Sequence, residues 1–478
     1  MRAEQAMATP KVSVIIPTCN GANYISEAIQ SVLKQSYSNF ELLIVNDASP
    51  DNTPEIIERF DDSRIKYLVH EKNQGVDRAR YTGLNASRGE IIAFLDQDDF
   101  FHPDKLQAHV TFLENHPDVG FTYNSRYELN HSDKTIRNLW RPPQDITLAD
   151  LVLWFPIAPS DWVLRRDWAF RLNISKDYYW TGAEIVYLGR LYLDGCKFGY
   201  VDRALNYRWH HSGRIFKDLI GGCESEINCQ VKIFDDPRCP ADVLSLRDIA
   251  HANIYLFWAY RAFAQGETEI GRSFLRKAVQ HKPSILSGMP CELVNNFVMN
   301  CSEDENLNFS EFLEKVFAQL PQELDQVIGQ FNWAIARGYL LKGVRALIWD
   351  RFEDGRQYFK RATKLGANVD TPFLQQLSKH LVDYEAEYGE QPAQNILKTL
   401  NLHLKKIGGR TSVRQLKSLY AINRAFQRFH SGEFNKVPGS ILWAIENNPR
   451  YLTNHGVIVT FLRSVVAVFK KSIKALAS

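Results

Sequence analysis

Short apolar runs alternate with helical segments through the first 125 residues, and no other feature of the sequence constrains the fold as strongly. The runs are nearly continuous and rich in β-branched residues, a pattern typical of strands buried on both faces of a sheet. Strand–helix alternation predicts a mostly parallel, Rossmann-like α/β sheet. The predicted strands are residues 12–16, 41–45, 65–69, 91–95 and 119–123, and the predicted helices are residues 24–35, 54–60, 76–87 and 103–115.

Polar residues gather directly after three of these predicted strands. Thr18 and Asn20 follow the first strand, Asp47 follows the second, and an acidic segment at 96–99 follows the fourth. In open α/β sheets, ligands bind beyond the carboxyl ends of the strands. The sequence therefore predicts a ligand site at this edge of the sheet.

The charge balance argues against nucleic acid as a partner. The chain carries 57 Lys and Arg residues and 55 Asp and Glu residues, for a formal net charge of +2. Such a balance produces no overall field that would draw the chain onto nucleic acid or anionic lipid. The seven cysteines form no Cys-x-x-Cys pair, which favours reduced thiols over a disulfide framework or a zinc site.

The hydropathy pattern predicts a cytoplasmic protein without a transmembrane span. Residues 1–10 lack the apolar run of a signal peptide. No segment approaches the ~20 apolar residues that a span needs, and the nearest, 457–469, contains Arg463. Two interpretations of the closing segment, 457–478, stay open. It caps the helical region, or it makes peripheral contact with the inner face of the plasma membrane.

Long helical patterns replace the strand signals beyond about residue 215. Three segments look alike: 261–278, 345–362 and 424–444. Each contains a helix, a break with a glycine or acidic residue, and a second helix that ends near an alanine. The matching alanines lie 84 and then 82 residues apart. The pattern resembles tetratricopeptide helix pairs at a wider spacing than their usual ~34 residues. Three amphipathic hairpins that look alike by convergence are the alternative.

These patterns predict four parts of the chain. They are a disordered tail at 1–10, an α/β domain at 11–215, a linker at 216–240, and an all-helical domain at 241–478 with three degenerate helix-pair repeats. Helical arrays form extended binding surfaces. We therefore expect the helical domain to bind an acceptor, a partner protein or a second subunit.

The acidic segment Asp96-Gln97-Asp98-Asp99 carries the strongest chemical signal. Mg²⁺ and Mn²⁺ prefer carboxylate oxygens, and a divalent ion that bridges a diphosphate stabilises the charge that builds on a departing phosphate. A lone Asp-x-Asp is also common in solvated turns, so its context matters. Asp47 ends another strand, and Gly75 opens a helix whose Arg78 and Arg80 are long enough to reach phosphate or base. Surface salt bridges are the alternative role for these arginines.

Four blocks of sequence resemble the family 2 glycosyltransferases of the GT-A fold. They are VSVIIPTCN at 12–20, IVNDAS at 44–49, GVDRAR at 75–80 and FLDQDDFFHPDKL at 94–106. The resemblance covers about residues 10–215. It is more specific than any single motif because the blocks occur in the order that the family shows.

The resemblance implies a nucleotide-sugar site and a divalent metal ion, Mn²⁺ or Mg²⁺. It assigns to the nucleotide sugar the residues Pro17, Thr18, Asn20, Asp47, Arg78, Arg80, Asp96, Gln97 and Asp99. It assigns the metal to Asp98. His210 belongs to the family's Tyr-Arg-x-His block and is either a second metal ligand or a structural residue.

Inverting transfer also needs a general base that takes the proton of the acceptor hydroxyl. In the family's register, Glu184 falls on the usual catalytic aspartate, and Ala183 replaces its acidic partner. Asp177 is the second candidate for the base. The alternative role of Glu184 is an acid that the dipole favours at a helix N-terminus.

The sequence thus predicts a metal-dependent inverting glycosyltransferase. It would move a sugar from a nucleoside-diphosphate sugar to a hydroxyl of a glycan, lipid-linked or protein acceptor in cell-surface polysaccharide or glycoconjugate synthesis. An inactive sugar-nucleotide-binding scaffold is the alternative, supported by Ala183 and opposed by the intact Asp96 and Asp98. A nucleotidyltransferase is a third hypothesis, although residues 17–21 do not resemble its glycine-rich loop.

Overall fold

The computed structural model describes residues 9–130, 136–154, 157–174, 182–210, 218–304 and 307–477, except for the side chains of residues 130, 137, 138, 210 and 471–477. The chain divides into two compact units, Met1–Ile285 and Leu286–Ser478. The first unit contains the sheet, and the second is built from helices over its described residues.

Nine strands of the described residues form one mixed sheet. They are β1 (Val12–Thr18), β2 (Phe40–Asn46), β3 (Ile65–Val69), β4 (Ile91–Phe94), β5 (Asp99–Phe101), β6 (Val119–Asn130), β7 (Ile136–Trp140), β8 (Val163–Arg165) and β9 (Lys197–His210). Their order is β3-β2-β1-β4-β8-β6-β9-β5, with β7 paired to β6. The pairs among β3, β2, β1 and β4 are parallel, as is β6–β9. The other pairs are antiparallel.

The predicted α/β fold is confirmed. The five predicted strands correspond to β1, β2, β3, β4 and β6, and the four strands at one side of the sheet are parallel. Four of the eight strand pairs are antiparallel, so the described sheet is mixed rather than mostly parallel. These pairs all involve β5, β7 or β8, which the sequence pattern does not predict, and it does not predict β9 either. Because β5 and β8 have only three residues each, their patterns are too short to show a strand period.

Eleven α-helices of the described residues belong to the first unit. They are α1 (Ile25–Leu33), α2 (Thr53–Glu58), α3 (Val76–Ala86), α4 (Lys105–Asn115), α5 (Leu148–Leu153), α6 (Arg166–Arg171), α7 (Ala183–Leu193), α8 (Leu219–Phe234), α9 (Ala241–Leu244), α10 (Arg247–Ala264) and α11 (Thr268–His281). Helix α8 occupies most of the segment predicted as a linker. The domain boundaries given above stay a prediction.

The sheet is buried on both faces because alternate strand residues point to opposite sides. Ile15 and Phe94 pack in one core together with residues of α3, α5 and α7. Val14 and Ile16 pack in the other core together with residues of α1 and α4. Burial on both faces explains the nearly continuous apolar runs of the first strands.

Helix α3 lies unusually close to the sheet at Gly83. A Cβ atom built at this residue would lie 2.5 Å from Cγ2 of Ile15 and 3.3 Å from Cγ2 of Val45. Only a residue without a side chain fits in this space. The close approach fixes the position of α3, which carries Arg80 one turn earlier.

Besides three 3-10 helices at Gln322–Gln330, Phe434–Lys436 and Pro449–Thr453, the second unit contains eight α-helices among its described residues. They are α12 (Glu292–Glu303), α13 (Phe309–Ala318), α14 (Phe331–Ile348), α15 (Phe352–Lys364), α16 (Thr371–Tyr388), α17 (Glu390–His430), α18 (Val437–Asn447) and α19 (His455–Ala477). The predicted change from strands to helices along the chain is confirmed.

Helix α17 consists of two antiparallel halves that meet at Gly409, where φ is 72° and ψ is −170°. The second half runs parallel to α16. Gln415 bonds to Thr371 at the start of α16, and Arg428 bonds to Glu385 near its end. Arg428 also bonds to Glu390, at the beginning of the first half. The first half therefore returns along α16, and the chain reverses again at Gly409.

The three segments that look alike in sequence form helical hairpins with the same turn. The pairs are α10–α11, α14–α15 and the second half of α17 with α18. In each, a left-handed residue ends the first helix: Gly266, Asp350 and Gly432, with φ of 83°, 59° and 78°. The next N–H then donates to the carbonyl five residues back, at 2.9, 2.8 and 2.8 Å respectively. These are Schellman helix ends.

Two further hairpins lie between these three along the chain. They are α12 with α13, and α16 with the first half of α17. The spacings of 84 and 82 residues therefore span two hairpins each, so a single hairpin recurs about every 40 residues, a period found in helical repeat proteins. The likeness to tetratricopeptide repeats stays a prediction.

We expect Gly83→Ala to destabilise the first unit by about 1–3 kcal/mol, because the new methyl group overpacks the contact between α3 and β1. Differential scanning calorimetry should show a melting temperature lower by about 2–8 °C for this unit. Gly439→Ala is the matched control, since no heavy atom lies within 4 Å of a Cβ built there. Equal melting temperatures for Gly83→Ala and the unmodified chain would contradict the close packing.

Candidate active site

The side chain of Gln97 holds the loop that follows β1. Thr18 Oγ1 donates to Gln97 Oε1 at 2.6 Å, and the N–H of Cys19 donates to the same oxygen at 3.0 Å. Gln97 Nε2 donates back to the carbonyl of Cys19 at 3.1 Å. This amide pairing joins the ends of β1 and β4, which are neighbours in the sheet. Gln97 thus shapes the predicted nucleotide loop, and its direct contact with a donor stays a prediction.

Asp47 fixes the point at which α3 begins. Its Oδ1 accepts from the N–H of Gln74 at 2.9 Å, and its Oδ2 accepts from the N–H of Gly75 at 2.7 Å. His70 Nδ1 lies 2.7 Å from Oδ1, and Nε2 of the same ring lies 2.8 Å from the hydroxyl of Thr82. Gly75 adopts φ of 90°, which side-chain-bearing residues avoid.

Arg80 is the centre of a buried ion-pair network. Its Nη2 lies 2.7 Å from Asp96 Oδ1, and its Nη1 lies 3.1 Å from Asp77 Oδ1 and 3.7 Å from Glu184 Oε1. The Arg80 side chain is only 6% exposed. Burial alone would lower the pKa of this guanidinium, but the surrounding carboxylates, Asp96 above all, raise it on balance. Tyr187 completes the network by donating its hydroxyl to Asp77 Oδ2 at 2.8 Å.

Glu184 enters this network from the first turn of α7. Burial raises the pKa of its carboxyl, although the charge of Arg80 acts in the opposite direction. A carboxylate with a raised pKa is a stronger proton acceptor, as a general base requires. The side chain is 24% exposed, so it is in part accessible to solvent. Ala183 instead lies in the hydrophobic core, and Asp177 lies outside the described residues.

Ser160 supports the acidic segment. Its Oγ accepts from the N–H of Asp96 at 3.1 Å and donates to Asp99 Oδ2 at 2.6 Å. Asp99 lies in β5 opposite Arg208 of β9. Burial, with the nearby charge of Asp98, raises the pKa of Asp99 to about 8. Asp96 and Asp98 are partly exposed.

The remaining predicted site residues differ in their surroundings. Pro17 is buried within β1, whereas Asn20 is exposed in a left-handed conformation with φ of 55°. Arg78 is also exposed, and its guanidinium lies 5.8 Å from the ring of Tyr81. Only Arg80, of the two predicted arginines, therefore enters the buried network.

The structure does not decide whether the predicted metal site exists. Among the residues described, no group of three or more His, Cys, Asp or Glu side chains is placed to hold a metal ion. Residue His210 ends β9, but its side chain lies outside the described part.

A second carboxylate, which the sequence does not reveal, lies beside α7. Glu226 of α8 accepts a hydrogen bond from Trp258 Nε1 at 3.0 Å. A Cβ atom on Gly182, the residue that precedes α7, would lie 2.9 Å from Cγ of Glu226. Burial raises the pKa of Glu226 to about 7. No local motif marks this residue, because only the packing of α8 against α7 brings it to Gly182.

Three other site residues were also missed, and they differ in how visible they are in the sequence. Asp77 stands three positions before Arg80 on α3, a spacing that places two side chains on one helix face and therefore predicts their ion pair. Ser160 and Tyr187 carry no such signal, since their partners lie 61 and 110 residues away in the chain.

Comparison with known proteins identifies the family. The family model described as Glycosyl transferase family 2 matches residues 13–170. An Escherichia coli relative, named UDP-Glc:alpha-D-GlcNAc-diphosphoundecaprenol beta-1,3-glucosyltransferase WfgD, is 37% identical over 172 residues, which are 35% of this chain and 67% of that protein. The chain belongs to the family 2 glycosyltransferases. Its α/β sheet unit followed by helices agrees with the GT-A fold expected of this family.

Other relatives match a smaller part of their own length. An uncharacterized glycosyltransferase of Rickettsia conorii is 41% identical to this glycosyltransferase over 138 residues, which are 29% of this chain and 22% of the relative. The putative teichuronic acid biosynthesis glycosyltransferase TuaG of Bacillus subtilis is 40% identical over 106 residues, which are 22% of this chain and 42% of that protein. This glycosyltransferase thus spans about a fifth of the length of the Rickettsia relatives that it matches.

Solved structures show weaker similarity. Staphylococcus aureus TarS 1-349 in complex with UDP has a TM-score of 0.40 at 18% identity, over 73% of this chain and 91% of that one. The mannosyltransferase PcManGT from Pyrobaculum calidifontis, in complex with GDP-Man and Mn2+, has a TM-score of 0.42 at 18% identity, over 72% and 89% of the two chains. Similarity at this level supports no inference about function.

The raised pKa of Glu226 predicts a pH-dependent stability. An ordinary glutamate of the unfolded chain loses its proton near pH 4.5, whereas native Glu226 keeps it to about pH 7. The native state therefore binds more protons between these values, and the free energy of unfolding falls as pH rises through this window. Glu226→Gln removes the titration and keeps an acceptor for Trp258. Between pH 4.5 and pH 8, we expect the free energy of unfolding of the variant to rise by about 1–3 kcal/mol relative to that of the unmodified chain.

Urea denaturation followed by tryptophan fluorescence at a series of pH values measures this difference. Glu224→Gln is the control, because Glu224 lies on the same helix and is exposed. Parallel pH profiles for Glu226→Gln and the unmodified chain would show that the Glu226 carboxyl titrates as in the unfolded state.

Proposed function

We propose that this glycosyltransferase moves one sugar from a nucleoside-diphosphate sugar to an acceptor hydroxyl with inversion of the anomeric centre. The Arg80 network is the observation that carries the proposal. The Arg80 guanidinium contacts Asp96, which follows the carboxyl end of β4, and it lies 3.7 Å from Glu184. An acidic group on the donor side and a candidate base are thereby held in one cluster. Inverting transfer needs a base for the acceptor hydroxyl and a group that binds the donor within one site.

In this proposal, the loop after β1 and Asp47 bind the nucleoside of the donor. Thr18 is fixed by Gln97, and Asp47 is fixed by the backbone of residues 74 and 75. Both groups are therefore preorganised, and ordering them on binding costs little conformational entropy. Arg80 would lie close to the donor nucleotide and orient Asp96 and Glu184 beside it.

The acidic segment has the chemistry expected of a Mg²⁺ or Mn²⁺ site. Asp96 and Asp98 are partly exposed, and their negative charges help to raise the pKa of the neighbouring Asp99. Hard divalent ions prefer such oxygen donors, with phosphate oxygens of the substrate as further ligands. Asp98 would hold the ion, and His210 is the candidate for a second protein ligand. A bound ion would stabilise the negative charge of the departing diphosphate.

Glu184 is the proposed base. It takes the proton of the acceptor hydroxyl while that oxygen attacks the anomeric carbon and the bond to the diphosphate breaks. Its raised pKa and partial exposure support this role. The inactive-scaffold hypothesis keeps one supporting observation, since Ala183 is buried where the family usually has a second acid.

The acceptor belongs to cell-surface polysaccharide or glycoconjugate synthesis in this proposal. The names of two relatives support it: a glucosyltransferase whose name includes GlcNAc-diphosphoundecaprenol, and a teichuronic acid biosynthesis glycosyltransferase. A glycan, a lipid-linked sugar and a protein are the acceptor classes to test.

We expect Asp98→Ala to abolish metal-dependent release of nucleoside diphosphate from a panel of UDP-, GDP- and dTDP-sugars. The substitution removes the proposed carboxylate ligand, so the donor should also lose its metal-dependent binding in isothermal titration calorimetry. Asp118→Ala is the control, because its carboxylate is exposed and pairs with Lys197 at the surface. Release that persists unchanged in Asp98→Ala would remove the metal site from the proposal.

We expect Glu184→Gln to lower the rate of transfer to an acceptor by about 10²–10⁴-fold, the usual effect of losing a general base. The affinity for the donor should change little, because the amide keeps the shape of the side chain. Asp177→Asn is the matched comparison, since Asp177 is the other candidate base. A large loss in Asp177→Asn with normal transfer by Glu184→Gln would reassign the base.

A further inference from the structure

Helix α19 carries an exposed apolar stripe on one face. The stripe consists of Ile458, Leu462, Val466 and Phe469, whose exposed fractions are 40%, 56%, 51% and 65%. At 3.6 residues per turn, these four positions fall within about 80° of the helix circumference. Single exposed apolar residues are ordinary on protein surfaces, but a continuous stripe along three turns indicates an interaction surface.

The opposite side of α19 packs against the rest of its unit. Val457, Thr460 and Ser464 are exposed by 2%, 8% and 0% and lie on that opposite side. Val457 belongs to a hydrophobic core with residues of α17 and α18, such as Ala425 and Ile441. The helix is thus anchored by one face and presents the stripe on the other.

The charged residues of α19 and of the segment just before it all have one sign. From residue 447 to residue 478 the chain contains no Asp or Glu, while it contains Arg450, Arg463, Lys470, Lys471 and Lys474. Arg463 and Lys470 are exposed and lie about 40–60° beyond one edge of the stripe. This local excess of positive charge contrasts with the formal net charge of +2 for the whole chain.

We infer that the α19 stripe docks on the surface of an anionic lipid bilayer. An apolar helix face with basic residues at its edge lies in the plane of a membrane interface, with the apolar side chains among the acyl chains. Long basic side chains keep their charge at the level of the lipid phosphates. None of the described helices is long and apolar enough to cross the bilayer, so the contact is peripheral.

The charge pattern argues against a second copy of this chain as the occupant. A twofold interface places the same patch of each copy against the other. The stripe would then bring Arg463 and Lys470 of both copies together, with no acidic residue on α19 to neutralise them. An anionic bilayer neutralises these charges and covers the apolar face at once.

Flotation of the full chain with lipid vesicles tests this inference. We expect the chain to float with vesicles of phosphatidylcholine mixed with phosphatidylglycerol, and to remain in solution with pure phosphatidylcholine. Added salt should weaken the binding, because it screens the lysine and arginine charges. Leu462→Ser combined with Phe469→Ser should reduce the bound fraction at least tenfold. Lys470→Gln combined with Lys471→Gln should reduce it on anionic vesicles and flatten its dependence on salt.

A matched control uses exposed leucines of the same unit outside α19. Leu365 and Leu402 are exposed by 45% and 63%, so Leu365→Ser combined with Leu402→Ser removes a similar apolar surface. This control should float like the unmodified chain, and circular dichroism should show equal helix content in all variants. Absence of flotation, equal binding to neutral and anionic vesicles, or normal flotation of the stripe variant would each overturn the inference. The inference would also be overturned, in favour of self-association, if the unmodified chain formed a dimer and did not bind vesicles while the stripe variant was a monomer.

Discussion

The site depends on one buried cation. Arg80 has three carboxylates around its guanidinium, from α3, from the end of β4 and from α7. Removing a charged group from water is costly unless it is paired, so the guanidinium and its acids stabilise one another only when all three elements are in place. The helix that carries the candidate base is therefore tied electrostatically to the strand edge that carries the acidic segment. Gly83 adds a steric condition to the same arrangement, since it lets α3 approach the sheet closely enough for Arg80 to reach Asp96.

Several residues with a predicted binding role also have a structural role. Gln97 fixes the loop after β1, Asp47 fixes the start of α3, and Asp99 accepts a hydrogen bond from Ser160 at the end of the acidic segment. A residue can have both the structural role and the predicted binding role. A rigid loop presents its groups at fixed positions, and a site built on such supports loses less entropy when a ligand binds.

The sequence predicts well what depends on local pattern. Strands β1 to β4 and β6, the first helices and the change to helices after the sheet all follow from hydrophobic period and turn residues, whereas β9, the longest strand described, is not predicted. The four family blocks also place Thr18, Asp47, Arg80 and Asp96 at one edge. The sequence does not predict Ser160, Tyr187 or Glu226, because each meets its partners only through tertiary packing. The sequence pattern reveals the first, third and fifth helical hairpins. It does not reveal the second and fourth, because their side chains differ although the backbone arrangement is repeated. The roles of Asp98, Glu184, Asp177 and His210 stay predictions.

The three similar hairpins show which part of a helix turn the sequence must supply. A Schellman turn needs one left-handed residue, which is Asp350 in the second of these hairpins and glycine in the other two. Glycine adopts this conformation without a steric penalty, whereas a residue with a side chain does not. Of the three turns, the one at Asp350 is therefore held in place against the local preference of its residue, by the packing of the two helices that it joins.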